Sequence, residues 1–343
     1  MKAIVIHAAG DLRYEQVADQ PLGRDEVRVK IEVGGICGSD LHYYRHGGFG
    51  AVRIHHPMIL GHEIAGVVAE VGPDVTSLRV GQRVAVNPSL SCGVCAFCRK
   101  GLRNHCSQMR FYGSAMRTPH VDGGFRETLV CKAEQAIPIP DKMTLAEAAF
   151  AEPVAVCLHA AARAGSLLGK RLLVLGAGPI GTILALVAQS AGADWVAVAD
   201  LIDESLHRVA DLGADETINV VKQADRLSGH AEGKGTFDIV FEASGSAEAT
   251  NAALDVVKPR GTLVCVGQGA RPEINISTIV TKEINMIGAF RFDDEFRQAI
   301  DYITRNRSRI GTLLTATVSA ADPTPAFDLA ADKTRSVKVH LQF

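Results

Sequence analysis

The chain has 343 residues, too many for one ordinary domain and enough for two with full cores. Its 36 lysines and arginines nearly balance 38 aspartates and glutamates, so no basic footprint marks a nucleic-acid or anionic-lipid surface. No uninterrupted apolar run of membrane-spanning length stands out and residues 1–7 do not resemble an export signal, so the expectation is a cytoplasmic protein without nucleic-acid or membrane partners.

Up to about residue 150, short β-type runs such as 27–33 and 64–71 are set off by Gly, Pro and Asp turns, which predicts a β-rich or barrel-like body. Beyond it, strands and helices alternate. Residues 171–175 read as a buried strand, 179–191 as a helix, 195–199 as a strand and 203–212 as a helix. Strands at 237–241 and 262–266 enclose a helix at 247–257, which makes this half a doubly wound parallel sheet. A helix at 294–305 and a β-like tail at 337–343 follow, and the tail is expected to return to the first body. The resulting division is a catalytic domain at 1–150, a nucleotide-binding domain at 151–290 and a returning segment at 291–343.

Cys92, Cys95, Cys98 and Cys106 form a C-x2-C-x2-C-x7-C run within a lobe at about 88–110. Without an export signal the thiols stay reduced, and clustered cysteines then point to metal rather than disulfides. Four thiolates close a tetrahedral shell, so this set reads as a structural zinc site. Cys131, Cys157 and Cys265 read as small buried residues.

Gly176, Gly178 and Gly181 form a G-x-G-x-x-G turn, with Pro179 and Ile180 inside it, where a predicted strand gives way to a helix. Gly176 permits the tight turn, Gly178 lets the backbone approach a pyrophosphate, and Gly181 lets the helix sit close on the sheet. Asp200 ends the next strand at the spacing that places an acidic side chain on the adenosine ribose, which favours NAD over NADP. Val266 and Gly267, at the end of a later strand, complete the cofactor-binding set.

Cys37, His62, Glu63 and Glu152 are scattered, and spacing alone leaves a shared metal site and ordinary packing equally open. A Cys/His/carboxylate set, unlike four thiolates, leaves a coordination position for water or an alcohol oxygen.

The segment Gly61-His62-Glu63-x2-Gly66-x5-Gly72-x2-Val75 resembles the signature of zinc-containing medium-chain alcohol and polyol dehydrogenases, and the four-Cys lobe and glycine turn follow in that family's order. Residues 35–43, Glu152-Pro153 and Phe290-Arg291 look like the sorbitol dehydrogenase branch, and residues 109–116 and 119–125 look like its acid-sugar members. The resemblance covers essentially the whole chain. It implies a GroES-like β domain interrupted by a Rossmann domain, two zincs, NAD as cofactor and a homo-oligomer, dimer or tetramer. It also implies that Cys37 and His62 ligate the catalytic zinc, that Glu63, Glu152 or both complete the shell, and that Asp40 orients His62. Ser39 and His42 become the proton relay, and Tyr43 and Arg291 the substrate contacts, with Arg110, Tyr112 and His120 as further candidates. The implied reaction is oxidation of a sugar-acid secondary alcohol, L-idonate to 5-ketogluconate, with a neutral polyol such as sorbitol or xylitol as the alternative.

Overall fold

Strand Glu26–Gly35 buries Val27, Val29, Ile31 and Val33 while the residues between them face outward, the period-two pattern of a half-buried strand. Around it a seven-stranded sheet assembles in the order Ala136–Pro138, Arg83–Val86, Glu63–Val71, Glu26–Gly35, Lys338–Gln342, Leu314–Ser319, with Thr128–Lys132 also paired to Glu26–Gly35. One face of this curled sheet, with strand Lys2–Ala8, encloses a core that includes Ile6, Ile31, Ile64, Phe125, Val339 and Leu341. The tail expected at 337–343 is therefore strand Lys338–Gln342, antiparallel to Glu26–Gly35.

The second sheet has six parallel strands in the spatial order Glu216–Asn219, Trp195–Asp200, Arg171–Leu175, Phe237–Glu242, Val257–Cys265, Asn285–Gly288. In chain order that is 3-2-1-4-5-6, the doubly wound arrangement whose switch point lies between its first and fourth strands. Leu172 to Leu175 are all buried, as a parallel strand covered on both faces requires. Helix Pro179–Ser190 opens with proline at its first turn and buries Gly181 through Ala188.

The structure is a computed structural model describing residues 1–269 and 273–343. It divides into one unit of Met1–Glu152, Phe296–Asp332 and Ser336–Phe343, and a second of Pro153–Glu295 and Lys333–Arg335. One stretch, Leu145–Ala164, is long and apolar enough on average to span a bilayer, although Glu147, Glu152 and Arg163 interrupt it. It is mostly buried within the protein, as a core segment is.

A helix at Gly38–His46 was not anticipated after Cys37. Its cause is Asp40, whose Oδ2 accepts the Cys37 N–H at 3.0 Å and so satisfies a donor that a helix start leaves open.

Candidate active site and metal centres

The helix start fixes Cys37 just beyond strand Glu26–Gly35. Its neighbour, strand Glu63–Val71, brings Glu63 opposite Gly35, with His62 immediately before it. Donor atoms of Cys37, His62 and Glu63 consequently lie within 4.8 Å of one another, a group compact enough to close on one metal ion. His62 is buried and its Nδ1 has no hydrogen-bond partner among the described residues, which is costly for an enclosed polar atom unless a ligand uses the ring.

Asp40 approaches that nitrogen only to 3.8 Å, too far for the orienting hydrogen bond expected of it. Its carboxylate instead serves the N–H groups of Cys37 and, at 3.4 Å, Gly61, so it shapes the loops that carry the ligands. Glu152, buried in helix Ala151–Ala164, stands outside the compact group of three but within electrostatic reach of it. Burial raises its carboxyl to about 8, with Cys37 and Glu63 adding to the rise and His62 opposing it. Desolvation, then the Glu63 charge, likewise pushes the Cys37 thiol up to about 11. A crowd of acidic groups that burial and mutual repulsion keep protonated calls for a cation if they are to ionise.

Part of that demand is met by Lys338, which sequence reasoning missed. Its ammonium, 2% exposed, donates to both Glu63 oxygens at 2.7 Å and to the Ile36 carbonyl at 3.1 Å. Burial would depress its pKa, but Glu63 and Cys37 outweigh that and hold it above the usual lysine value.

In the cysteine lobe, Sγ of Cys95 lies 3.5 Å from that of Cys98 and 4.0 Å from that of Cys106. A tetrahedron with zinc–sulfur bonds of about 2.3 Å has edges of about 3.8 Å, so the spacing fits a tetrathiolate ion. No disulfide joins these cysteines. Backbone N–H groups of Cys92 and Gln108 donate to Cys106 Sγ, and those of Cys98 and Ser107 lower the Cys95 thiol to about 5. Burial, then its hydrogen bonds with Cys95 and Cys106, pushes the Cys98 thiol the other way, up to about 11, so it is at Cys95 that the backbone favours thiolate.

In the second unit, the glycine turn joins strand Arg171–Leu175 to helix Pro179–Ser190, with Gly176 at φ 101°. A Cβ on Gly181 would lie 1.7 Å from the Gly176 carbonyl oxygen, so only glycine lets the helix close on the turn. Around Gly178 the space is open, as close approach of a phosphate demands. Asp200 Oδ2 accepts the Ala177 N–H at 2.6 Å, and its Oδ1 accepts those of Leu201 and Ile202. The carboxylate therefore sits directly on the turn. Val266 and Gly267 both donate their N–H groups to the Glu242 carbonyl beside the same sheet end.

Residues 23–141 match the alcohol dehydrogenase GroES-like domain family and residues 179–305 the zinc-binding dehydrogenase family. L-idonate 5-dehydrogenase (NAD(P)(+)) of Escherichia coli K12 is 42% identical over 316 residues, 92% of this chain and 91% of its own. The chain belongs to the zinc-binding alcohol dehydrogenase family. Sorbitol dehydrogenase of Bacillus subtilis 168 is 35% identical, covering 88% of this chain and 86% of its own. The crystal structure of the E. coli L-idonate 5-dehydrogenase superposes with a TM-score of 0.93 at 39% identity, covering 100% of this chain and 98% of its own. This dehydrogenase is accordingly a zinc-dependent, NAD(P)-dependent oxidoreductase of the polyol type, with a GroES-like domain and a Rossmann domain.

The remaining candidates occupy varied positions in this family member. Ser39 lies on the first turn of helix Gly38–His46, two residues after Cys37, while His42 is exposed on the same helix. Tyr43 is buried with its hydroxyl oxygen accepting the Ala115 N–H at 2.9 Å. Arg291 belongs to the second unit, follows strand Asn285–Gly288 at φ 55°, and lays its guanidinium 4.9 Å from the Phe290 ring centre. Tyr112 directs its hydroxyl to Gln135, and His120 is engaged with His55 and His56. Arg110 is exposed on a short strand.

Proposed function

We propose that this dehydrogenase interconverts a secondary alcohol of a sugar acid and its ketone, L-idonate and 5-ketogluconate, using NAD. The observation carrying the chemistry is the enclosed Cys37, His62 and carboxylate group, whose donor set suits zinc with a coordination position left for substrate oxygen. The acid-sugar choice is supported by the 42% identity to an L-idonate 5-dehydrogenase. A neutral polyol is the second reading, favoured by the 35% identity to a sorbitol dehydrogenase.

Cys37 and His62, with Glu63, Glu152 or both, would hold the catalytic zinc, and the four cysteines of the lobe a structural one. When bound, zinc polarises the substrate oxygen and NAD accepts the hydride. Ser39 Oγ takes the hydroxyl proton and passes it toward His42, whose exposure connects the relay to water. The Gly176, Gly178 and Gly181 turn, with Pro179, Ile180, Val266 and Gly267, receives the dinucleotide. Asp200 reads its ribose and disfavours a 2′-phosphate. Tyr43 shapes the substrate pocket, and Arg291 takes the carboxylate, for which a guanidinium offers two parallel N–H donors. The working state is a cytoplasmic homo-oligomer without nucleic-acid or membrane partners.

The test follows cofactor reduction across sugar acids and polyols, comparing wild type with Arg291→Leu. L-idonate is expected to be preferred, and the substitution to cost about 1.5–3 kcal/mol in kcat/KM for it and appreciably less for sorbitol. Wild-type preference for sorbitol, or equal losses on both substrates, rejects the acid-sugar reading.

A further inference from the structure

Helix Ala151–Ala164 places His159 and Arg163 four residues apart, on one face and on successive turns. Both reach the same short segment of the second unit, one at each end. Arg163 Nε donates at 3.3 Å to the carbonyl of Gly288, where strand Asn285–Gly288 ends. His159 Nδ1 lies 2.9 Å from Oε1 of Glu295, the first residue of helix Glu295–Arg305, and the two side chains are 14% and 13% exposed. The other carboxylate oxygen, Oε2, accepts the Asp293 N–H at 2.7 Å. Burial would raise the Glu295 carboxyl, but the bonds from His159 and Asp293 outweigh it and hold the group below the usual glutamate range, so it is a carboxylate and the histidine donates. At its start the segment is also tied to the sheet, the Ala289 N–H donating to the Cys265 carbonyl at 3.0 Å. Between these ties stands Arg291 at φ 55°. A non-glycine residue holds that left-handed conformation only where surrounding contacts over-determine it.

We infer that His159 is a positioning residue for substrate recognition: through Glu295 it holds segment 289–294 in the conformation from which Arg291 reads the carboxylate of the sugar acid. The inference rests on the reading of Arg291 given above and names the residue that keeps that arginine in place. His159 acts through Glu295 and the backbone, not by touching substrate. Two parallel N–H donors serve a carboxylate only when the guanidinium is correctly oriented, and a displacement of about 1 Å is enough to lose most of the gain. A short segment gripped at both ends by one helix shares that helix's rigidity, which a loop does not have by itself. An acidic side chain at a helix start is favourable without any partner. The largely buried histidine on Glu295 therefore adds something else, a link from that helix start to a second element.

The experiment compares wild type, His159→Leu, His159→Asn, Arg291→Leu and the double variant His159→Leu with Arg291→Leu, each as zinc-loaded enzyme with saturating NAD. Asparagine keeps an N–H donor close to the place of Nδ1, whereas leucine keeps the bulk and removes the donor. His159→Leu is expected to raise KM for L-idonate about 10-fold with kcat nearly unchanged, and to leave KM for sorbitol within about 2-fold. Amide hydrogen exchange across residues 289–294 is expected to quicken about 10-fold in the same variant, while His159→Asn keeps wild-type kinetics and exchange. With Arg291 already replaced, His159→Leu is expected to add no further loss for L-idonate, because nothing remains for it to position. Glu295→Asp draws the carboxylate back by one methylene and keeps its charge; it is expected to reproduce His159→Leu and replaces that variant if it does not fold. Equal losses on both substrates in His159→Leu, a further loss in the double variant, or unchanged exchange across 289–294 overturns the inference. Failure of the underlying reading has its own signature: Arg291→Leu then costs both substrates equally, and the inference falls with it whatever the exchange shows.

Discussion

His340 holds an imidazole inside the protein with 0% exposure and neither ring nitrogen hydrogen-bonded among the described residues, its ring centre 5.1 Å from that of Phe150. Burial, then the charge of Lys338, lowers its pKa to about 3, so it stays neutral across the working range. An enclosed polar group without a partner costs about 1–3 kcal/mol, and a β-branched apolar residue of similar size suits a central strand. His340→Ile is therefore expected to raise unfolding free energy by about 1 kcal/mol in a denaturant titration at pH 8. A loss of more than that would reveal a hydrogen-bond partner that the apolar replacement cannot serve. The pH dependence has a definite sign. An unfolded histidine gains its proton near 6.5 and the folded one only near 3, so the native state loses stability as pH falls between those values. His340→Ile should flatten that part of the decline.

At the scale of elements, two loops are joined through histidines. His120 Nε2 accepts the His55 N–H at 2.9 Å, and His56 Nε2 accepts the His120 N–H at 3.2 Å. Nδ1 of each ring lies against a carbonyl, that of Arg117 for His120 and that of Pro57 for His56. Both rings must then be neutral with the proton on Nδ1, and they stack with centres 4.0 Å apart. Burial, then His56 and His55, lowers the His120 pKa, against the Arg117 carbonyl and Asp122, which favour the charged ring. Below the ordinary histidine range of about 6.5, a proton on His120 Nε2 removes the acceptor of the His55 N–H. Because the His120 pKa lies below the ordinary value, amide hydrogen exchange over residues 48–57, corrected for intrinsic rate, is expected to accelerate as pH falls from about 6.5 to about 4.5, and His120→Gln to reduce the difference. Unchanged protection at about pH 4.5 would show that the join does not depend on charge.

The glycine turn was legible because its strand, three glycines, helix and following Asp200 lie within one short βαβ run, where spacing is geometry. Helix Gly38–His46 was not, because Cys37-Gly38-Ser39-Asp40 contains turn-forming residues and the deciding contact is one carboxylate reaching back to one N–H. Strand Asn285–Gly288 was equally hidden, being four residues long without a buried run. Cys37 and His62 could be paired only through a family motif, and Glu152 has no local pattern at all. Lys338 gave no signal, since one lysine in a β-like tail usually points to solvent.

For the molecule as a whole, the two cysteine-containing centres should separate in their consequences. Metal analysis of fully loaded protein is expected to return two zincs per chain. Cys37→Ser is expected to remove one and abolish turnover with little effect on melting temperature, whereas Cys95→Ser, which opens the tetrathiolate lobe, should lower the melting temperature because metal binding there is folding energy. A single zinc in intact protein would eliminate one of the two centres. The lobe occupies residues 92–106 of the first unit and contains only short helical turns at Ala96–Arg99 and Arg103–His105, so little besides a metal can order it.

The strand that carries Lys338 meets Glu63 across 275 residues of chain, most of which form or connect the separate six-stranded unit. Contacts of such separation form late, because their loop-closure entropy falls due before any neighbouring contact repays it. Cys37, His62 and Glu63, by contrast, lie at the facing ends of two adjacent strands within one short stretch of chain. The Lys338–Glu63 pair can therefore close only after the chain on either side of the six-stranded unit has met.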